Sequence, residues 1–242
     1  LFTNYWIYQI YFANIDSRGN VRFWNSDSLG IKFRPILYDI DLGWFRANSN
    51  LLNDFTDTIQ TKWYNPSWRT LLLRKALENN NFKNQFINQT SFLMNTHLSS
   101  ENVLQKINKF LKIYQNEMAY HFHYRKRFES YQGSFNKWLR SIDKMKEFAS
   151  KRDSIMLEHL AEKFQLTKPY FLDIEVINYN NGIVLLNNNK LIKNHLCGKF
   201  FNDIPSQIEV IPNLGYIYFI YNTDFLDSSS LMVKKKNIFF KS

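Results

Sequence analysis

The sequence predicts an α+β chain in two parts: a mainly helical region carrying one small β-hairpin, then a small all-β module. Three observations predict it. Apolar residues recur three to four apart from about residue 66 to residue 164, the period of helices with one buried face. Two short runs rich in aromatic and β-branched residues, 21–24 and 33–38, flank a polar turn containing Gly30, which is a hairpin pattern. From Pro169 onward charge density falls and short apolar runs alternate with turn residues. The boundary therefore falls at about residues 167–169, giving domains 1–167 and 168–242.

Residues 4–11 read as an aromatic-rich buried helix that breaks into a polar loop at 14–20. The hairpin follows, and its second strand is expected to run straight into Asp39-Ile40-Asp41-Leu42-Gly43. After an irregular stretch, Pro66 stands where a helix would start, with Trp68, Leu71, Leu72 and Leu77 behind it. Phe82, Phe86 and Leu93 mark a second helix over 82–94. Ser99 or Ser100 caps a third, whose buried face is Val103, Leu104, Ile107, Leu111, Tyr114 and Met118. A fourth starts near Ser134, runs through Trp138, Ile142, Met145 and Phe148, and continues after a break through Met156, Leu160 and Phe164. Strands are expected at 174–177, 183–186, 208–211 and 216–221, with turns at 180–182 and 212–215. Trp68, Trp138, Phe148 and Phe164 are assigned to the core.

Composition narrows the function classes. With 45% hydrophobic and 17% aromatic residues, the chain is not of disordered composition. The net charge of +10 favours polyanionic partners such as nucleotides or acidic polymers, or else marks a solvated basic face. Basic and aromatic residues do not interleave as in an RNA-binding sheet, so no specific nucleic-acid partner is expected. Lys234-Lys235-Lys236 reads as a solubilising run. Cys197 is the one cysteine, so an internal disulfide is impossible and a cysteine-based zinc site is not expected. His121 and His123 lie two apart, on different faces of a helix. No apolar stretch approaches the ~20 residues that span a bilayer. Neither a Walker-type nor a Gly-rich phosphate loop is present.

The chemistry concentrates near the start. Asp16 and Asn20 lie in the loop after the first helix, and Asp39 and Asp41 are expected at the end of a strand. Helix, loop acid, loop amide, hairpin and strand-end acid is the order found in the catalytic half of protein kinases. Phosphoryl transfer moves a densely negative group, and hard divalent cations held by carboxylate and amide oxygens neutralise it. Alternate residues of a strand share a face, so Asp39 and Asp41 are expected to point together with Ile40 turned into the core. Asp and Asn are equally common as loop and cap residues, so these positions taken singly leave both readings open.

The combination resembles the CotH kinase family, named for a spore-coat protein. Residues 4–16 (NYWIYQIYFANID), 19–24 (GNVRFW) and 33–43 (FRPILYDIDLG) are similar to its helix, loop and acid-bearing segments. Downstream, 77–83 (LENNNFK), Glu117-Met118 with His121 and Arg125, and 148–152 (FASKR) continue the likeness to about residue 166. Gly198-Lys199-Phe200-Phe201, Ile204-Pro205 and Gly215-Tyr216 look like the small β-repeat that often trails these kinases.

The resemblance implies that 1–167 is a protein-kinase-like C-lobe, with the nucleotide-gripping N-lobe and its Lys–Glu pair lying before Leu1. It implies transfer of the ATP γ-phosphate to Ser or Thr of a coat or surface protein, in a bacterial spore coat, at the cell surface or secreted. Asp16 would be the catalytic base. Asn20, Asp39 and Asp41 would hold Mg²⁺ or Mn²⁺ and with it the ATP. The sequence departs from the family pattern at Ser17, Arg18, Val21, Asn25 and Pro35. Ser17, Val21 and Pro35 motivate the alternative of a non-catalytic structural protein with a degenerate lobe. Polyanion binding by the basic helices is a third expectation.

Overall fold

A computed structural model describes residues 1–59, 62–126, 133–226 and 232–241. Among them are six α-helices and nine strands in three small sheets, an α+β chain. The chain packs as two compact units. One comprises Leu1–Arg69 and His97–Met156, the other Thr70–Thr96 and Leu157–Ser242.

In the first unit, helix α1 (Phe2–Tyr11) buries Tyr5, Trp6, Ile7, Ile10 and Tyr11 around most of its circumference, as a central helix does. It ends in a Schellman closure. Ala13 is left-handed (φ 52°), its N–H donates to Ile10 O (3.1 Å), and Asn14 N–H donates to Gln9 O (3.1 Å). An alanine at that position costs roughly 1–2 kcal/mol relative to glycine. The hairpin pairs β1 (Arg22–Ser26) with β2 (Ile31–Ile36), antiparallel, and Pro35 sits opposite Phe23. A two-stranded ribbon has free edges, where proline's missing N–H is tolerated.

A short helix α2 (Leu51–Thr56) occupies part of the stretch expected to be irregular, and it buries Leu51, Leu52 and Phe55. Asn50 caps it by accepting from Asn53 N–H. Two long helices complete the unit's part of the fold. Helix α5 (Ser100–Arg125) is capped by Ser99. Helix α6 (Phe135–Phe164) is capped by Ser134, whose Oγ accepts from Lys137 N–H (3.2 Å). It runs unbroken where a break was expected, because no Gly or Pro interrupts it. On α5, Val103 and Ile107 are buried, Leu104, Leu111 and Met118 are half-buried and Tyr114 is 51% exposed. That face lines an open apolar cleft.

Pro66, in the first unit, does not start a helix, and Trp68 of the same unit is 64% exposed rather than in the core. The second unit opens on helix α3 (Leu71–Leu77). Helix α4 (Asn80–Met94) is capped by Asn79, which accepts from Phe82 N–H (3.1 Å). The strands are β3 (Pro169–Ile177), β4 (Gly182–Leu186), β5 (Asn189–Lys190), β6 (His195–Phe201), β7 (Ile208–Pro212), β8 (Ile217–Leu226) and β9 (Met232–Lys241). They form one sheet in the order β6-β3-β9-β8 and another in the order β5-β4-β7.

β3 turns Tyr170, Leu172, Ile174 and Val176 inward at strand period. They pack with Val184, Leu186, Phe200, Ile238 and Phe240, and with Phe92 of α4. The lysine run falls inside β9, which pairs in parallel with β3. Lys234 packs its ammonium over the Tyr170 ring at 4.2 Å, so the run is part of a strand. Asn95, just past α4, accepts from Lys199 N–H (3.0 Å) and donates to Lys199 O (2.9 Å), pairing the free edge of β6 as a neighbouring strand would. Gly198 is required there, because an added Cβ would lie 2.3 Å from Asn95 Cγ.

Candidate active site

The loop acid Asp16 and the later acid Asp39 are both tied to Asn14, which is fully buried just past the end of α1. Its amide donates to Gln9 Oε1 (2.9 Å) and to the backbone carbonyl of Asp39 (3.3 Å). Its Oδ1 accepts from the backbone N–H of Asp16 (3.1 Å). One carboxamide thus holds the start of the Asp16 loop and the backbone at Asp39. Asn20 Nδ2 donates to Asp16 Oδ2 (2.8 Å), which fixes that carboxylate's orientation across the 3₁₀ turn at Ile15–Arg18.

Asp39 and Asp41 do not end a strand. β2 stops at Ile36, residues 37–40 have no regular structure, and Asp39 is left-handed (φ 49°). The strand geometry expected to align the two carboxylates is therefore absent. They meet through the turn instead. Asp39 shares a side-chain hydrogen bond with Asp41, and this contact raises its carboxyl above the ordinary value. Partial desolvation and the negative charges of Asp41 and Asp16 push the same way. The Asp39 carboxyl thus feels both of the other acids electrostatically. A non-glycine residue in a left-handed turn is the kind of local strain found where a side chain must be aimed.

Gly43 closes the turn. Its N–H donates to Ile40 O (3.1 Å), and the next N–H, of Trp44, donates to Phe12 O at the end of α1 (2.9 Å). An added Cβ would lie 2.4 Å from Phe12 O, so only glycine lets the two backbones touch. Ile40 turns to an apolar cleft of about 620 Å³, whose walls include Phe12, Trp44, Ile107 and Trp138.

Sequence reasoning picked out Asp16, Asn20, Asp39 and Asp41, and the structure brings the three acids together with Asn20 on Asp16. It missed Asn14 and Arg152 as organising residues. Both stood inside matched motifs, but their roles depend on partners distant in sequence. Arg152 is wholly buried, and burial lowers its pKa to about 10, so it remains charged at neutral pH. At the departures, the Ser17 hydroxyl is buried with no hydrogen-bond partner among the described residues, and Val21 is half-buried beside the loop.

Among the described residues, no group of three or more His, Cys, Asp or Glu is arranged to hold a metal ion. The acids fit a narrower role. Mg²⁺ is commonly bound by one or two carboxylates, with phosphate oxygens and water completing its shell. Two carboxylates sharing a hydrogen bond beside a third acid form an all-oxygen donor set of that kind. Among the described residues, no helix is long and apolar enough to cross a membrane. The family model for the CotH kinase protein matches residues 1–156. Neither the curated proteins nor the solved structures contain a match to this chain.

Proposed function

The chain belongs to the CotH kinase family, and from that premise we propose that it is a protein kinase that transfers the ATP γ-phosphate to Ser or Thr of a coat or surface protein with the help of a divalent metal. Residues 1–167 would be the kinase-like C-lobe and 168–242 a trailing β module. The observation that carries the reading is the acid cluster, in which Asp39 lies close enough to Asp41 to share a hydrogen bond and close enough to both Asp41 and Asp16 to feel their charges.

Asp16 is the group that accepts the proton of the substrate hydroxyl. Asn20 orients its carboxylate, leaving the second oxygen for the substrate. Asp39 and Asp41 hold Mg²⁺ or Mn²⁺ jointly with the ATP phosphates, and Asn20 is the further oxygen donor to that site. When bound, the cation neutralises charge on the phosphates being transferred. The carboxyl of Asp39 is raised first by its hydrogen bond with Asp41, then by desolvation and by the charges of Asp41 and Asp16, and a cation would relieve the charge repulsion among these causes. A spore coat or cell surface is the location the family's link to the spore coat suggests.

The test is phosphate transfer from ATP to a Ser-rich protein by wild type, Asp16→Ala and Asp39→Ala. Losses of at least ~100-fold in both variants are expected, because a general base alone contributes about 10²–10⁴-fold. Undiminished transfer in both variants removes the assignment. The buried, unpartnered Ser17 hydroxyl and the absence of a three-carboxylate cage among the described residues favour a second reading, a structural protein with a degenerate lobe. Calorimetry with Mg–ATP separates the two, since the structural protein shows no heat of binding.

A further inference from the structure

We infer that Arg152 is a positioning residue for the acid cluster, joining the end of α1 to the segment after Gly43 as one frame. The inference rests on the reading of the acids above, but its main readout is independent of it.

A helix leaves its last carbonyls without intrahelical donors, and buried ones must find partners elsewhere. At the end of α1, Tyr8 O accepts from Phe12 N–H and Gln9 O from Asn14 N–H. Phe12 O accepts from Trp44 N–H. That leaves Tyr11 O, which takes Arg152 Nε (2.7 Å), while Ile10 O takes Arg152 Nη2 (2.6 Å) in addition to Ala13 N–H. The other arm of the guanidinium, Nη1, donates to Ser49 O (2.9 Å) and to Ala47 O. One side chain therefore serves four carbonyls on two segments.

The residue is 0% exposed, and no carboxylate among the described residues pairs with it. A buried charge without a counter-ion costs several kcal/mol, on the order of the penalty for an isolated ion. Four carbonyl dipoles and the negative end of the α1 dipole offset that cost here. The Phe148 ring lies 5.4 Å from the guanidinium carbon and seals one side. Lysine cannot replace this fork, because an ammonium has three N–H groups and no planar spread.

The two segments so joined bracket the acids. Ile10 and Tyr11 lead into Asn14 and Asp16, while Ala47 and Ser49 follow from Asp41 through Gly43 and Trp44. Asn14 ties the first segment to Asp39, and the Trp44–Phe12 hydrogen bond ties the second back to α1. Arg152 is the side chain that spans both anchors, so it sets the separation of Asp16 from Asp39 and Asp41 without touching any of them.

The experiment compares wild type with Arg152→Lys in the full chain, using amide hydrogen exchange well below the variant's melting temperature. Exchange in 13–16 and 39–49 is expected to accelerate at least ~10-fold, with 170–176 unchanged. Equal acceleration everywhere, or none, overturns the inference. In the kinase assay, kcat is expected to fall about 10–100-fold with KM for ATP within about threefold, the scale of losses when supporting residues of a metal site are removed. A variant with lower Tm but wild-type kcat and Mn²⁺ affinity shows Arg152 to be structural only. If Arg152→Lys does not fold, wild-type protein is compared with and without Mn²⁺. Slower exchange at 45–49 on binding supports the frame, and unchanged exchange there overturns it. A wild-type protein that neither binds Mn²⁺ nor transfers phosphate removes the reading of the acids, and exchange in the wild type and both Arg152→Lys and Arg152→Gln then decides the frame alone.

Discussion

Replacing Gly43 by alanine should loosen the acid cluster more than any other single methyl group added near it. The new Cβ would sit 2.4 Å from Phe12 O, 3.1 Å from Ile40 O and 3.3 Å from Phe12 C. Real Cβ contacts do not fall below 3.0 Å, so the Phe12 carbonyl and the 39–44 turn must separate by at least about 0.6 Å. All three atoms are backbone, two of them at the end of α1 and one in the turn itself, and none can swing aside as a side chain would. Overpacking of this kind costs about 1–3 kcal/mol. The Trp44–Phe12 hydrogen bond lies at the same junction and adds about 0.5–1.5 kcal/mol if lost. The expected loss of stability is therefore about 1.5–4.5 kcal/mol. All six tryptophans belong to the first unit, so tryptophan fluorescence during urea unfolding reports this unit. Gly19→Ala is the control, since an added Cβ there meets nothing within 4 Å. The same displacement should reduce phosphate transfer by up to about 100-fold, because misplacement by an ångström can cost that much. If Gly43→Ala unfolds at the same urea concentration as Gly19→Ala, the close approach of these backbones is not a constraint and the argument fails.

Two further outcomes follow from the geometry. Asp39→Asn should raise Tm at neutral pH and low salt, and the gain should shrink as pH falls through the raised pKa of Asp39 and vanish below the ordinary carboxylate range. A carboxyl whose folded pKa is raised favours the folded state when protonated and loses that advantage as pH rises. Asparagine suits the left-handed backbone at this position, and Mg²⁺ should stabilise wild type but not the variant in a melting series; equal stabilisation of both would exclude Asp39 as a ligand. In the second unit, Asn95→Ala should cost about 1–3 kcal/mol, because both backbone groups of Lys199 lose their partner. Faster amide exchange at Lys199 than in wild type is expected, and wild-type exchange there would show that water replaces the asparagine without cost.

Much of the local structure was legible in the residues alone. Ser99 and Ser134 cap helices because a short polar side chain reaches an N–H three residues on. The hairpin follows from two aromatic and β-branched runs around a polar turn, and the strand expected at 174–177 is the end of β3. The acids themselves stood out as an ordered set of oxygen ligands, and Gly43 stood out as a place where the backbone turns.

Other features were decided only when distant parts of the chain met. The Asp39 turn is held by Asn14, 25 residues away, so no local strand preference could aim its carboxylate. Arg152 lies 141 residues from the Tyr11 carbonyl it serves, and a basic residue on a basic helix carries no sign of burial. The lysine run became a strand because β9 pairs with β3, more than 60 residues earlier, and strand pairing in parallel has no local signature. The sequence by itself thus determined the hairpin, the Ser99 and Ser134 starts of the two long helices and which oxygen ligands are present, all of them settled by neighbours within a few residues. Tertiary structure decided how the Asp16 loop and the Asp39 turn are brought to one place, because the Asn14 hydrogen bond that joins them links residues 25 apart in sequence.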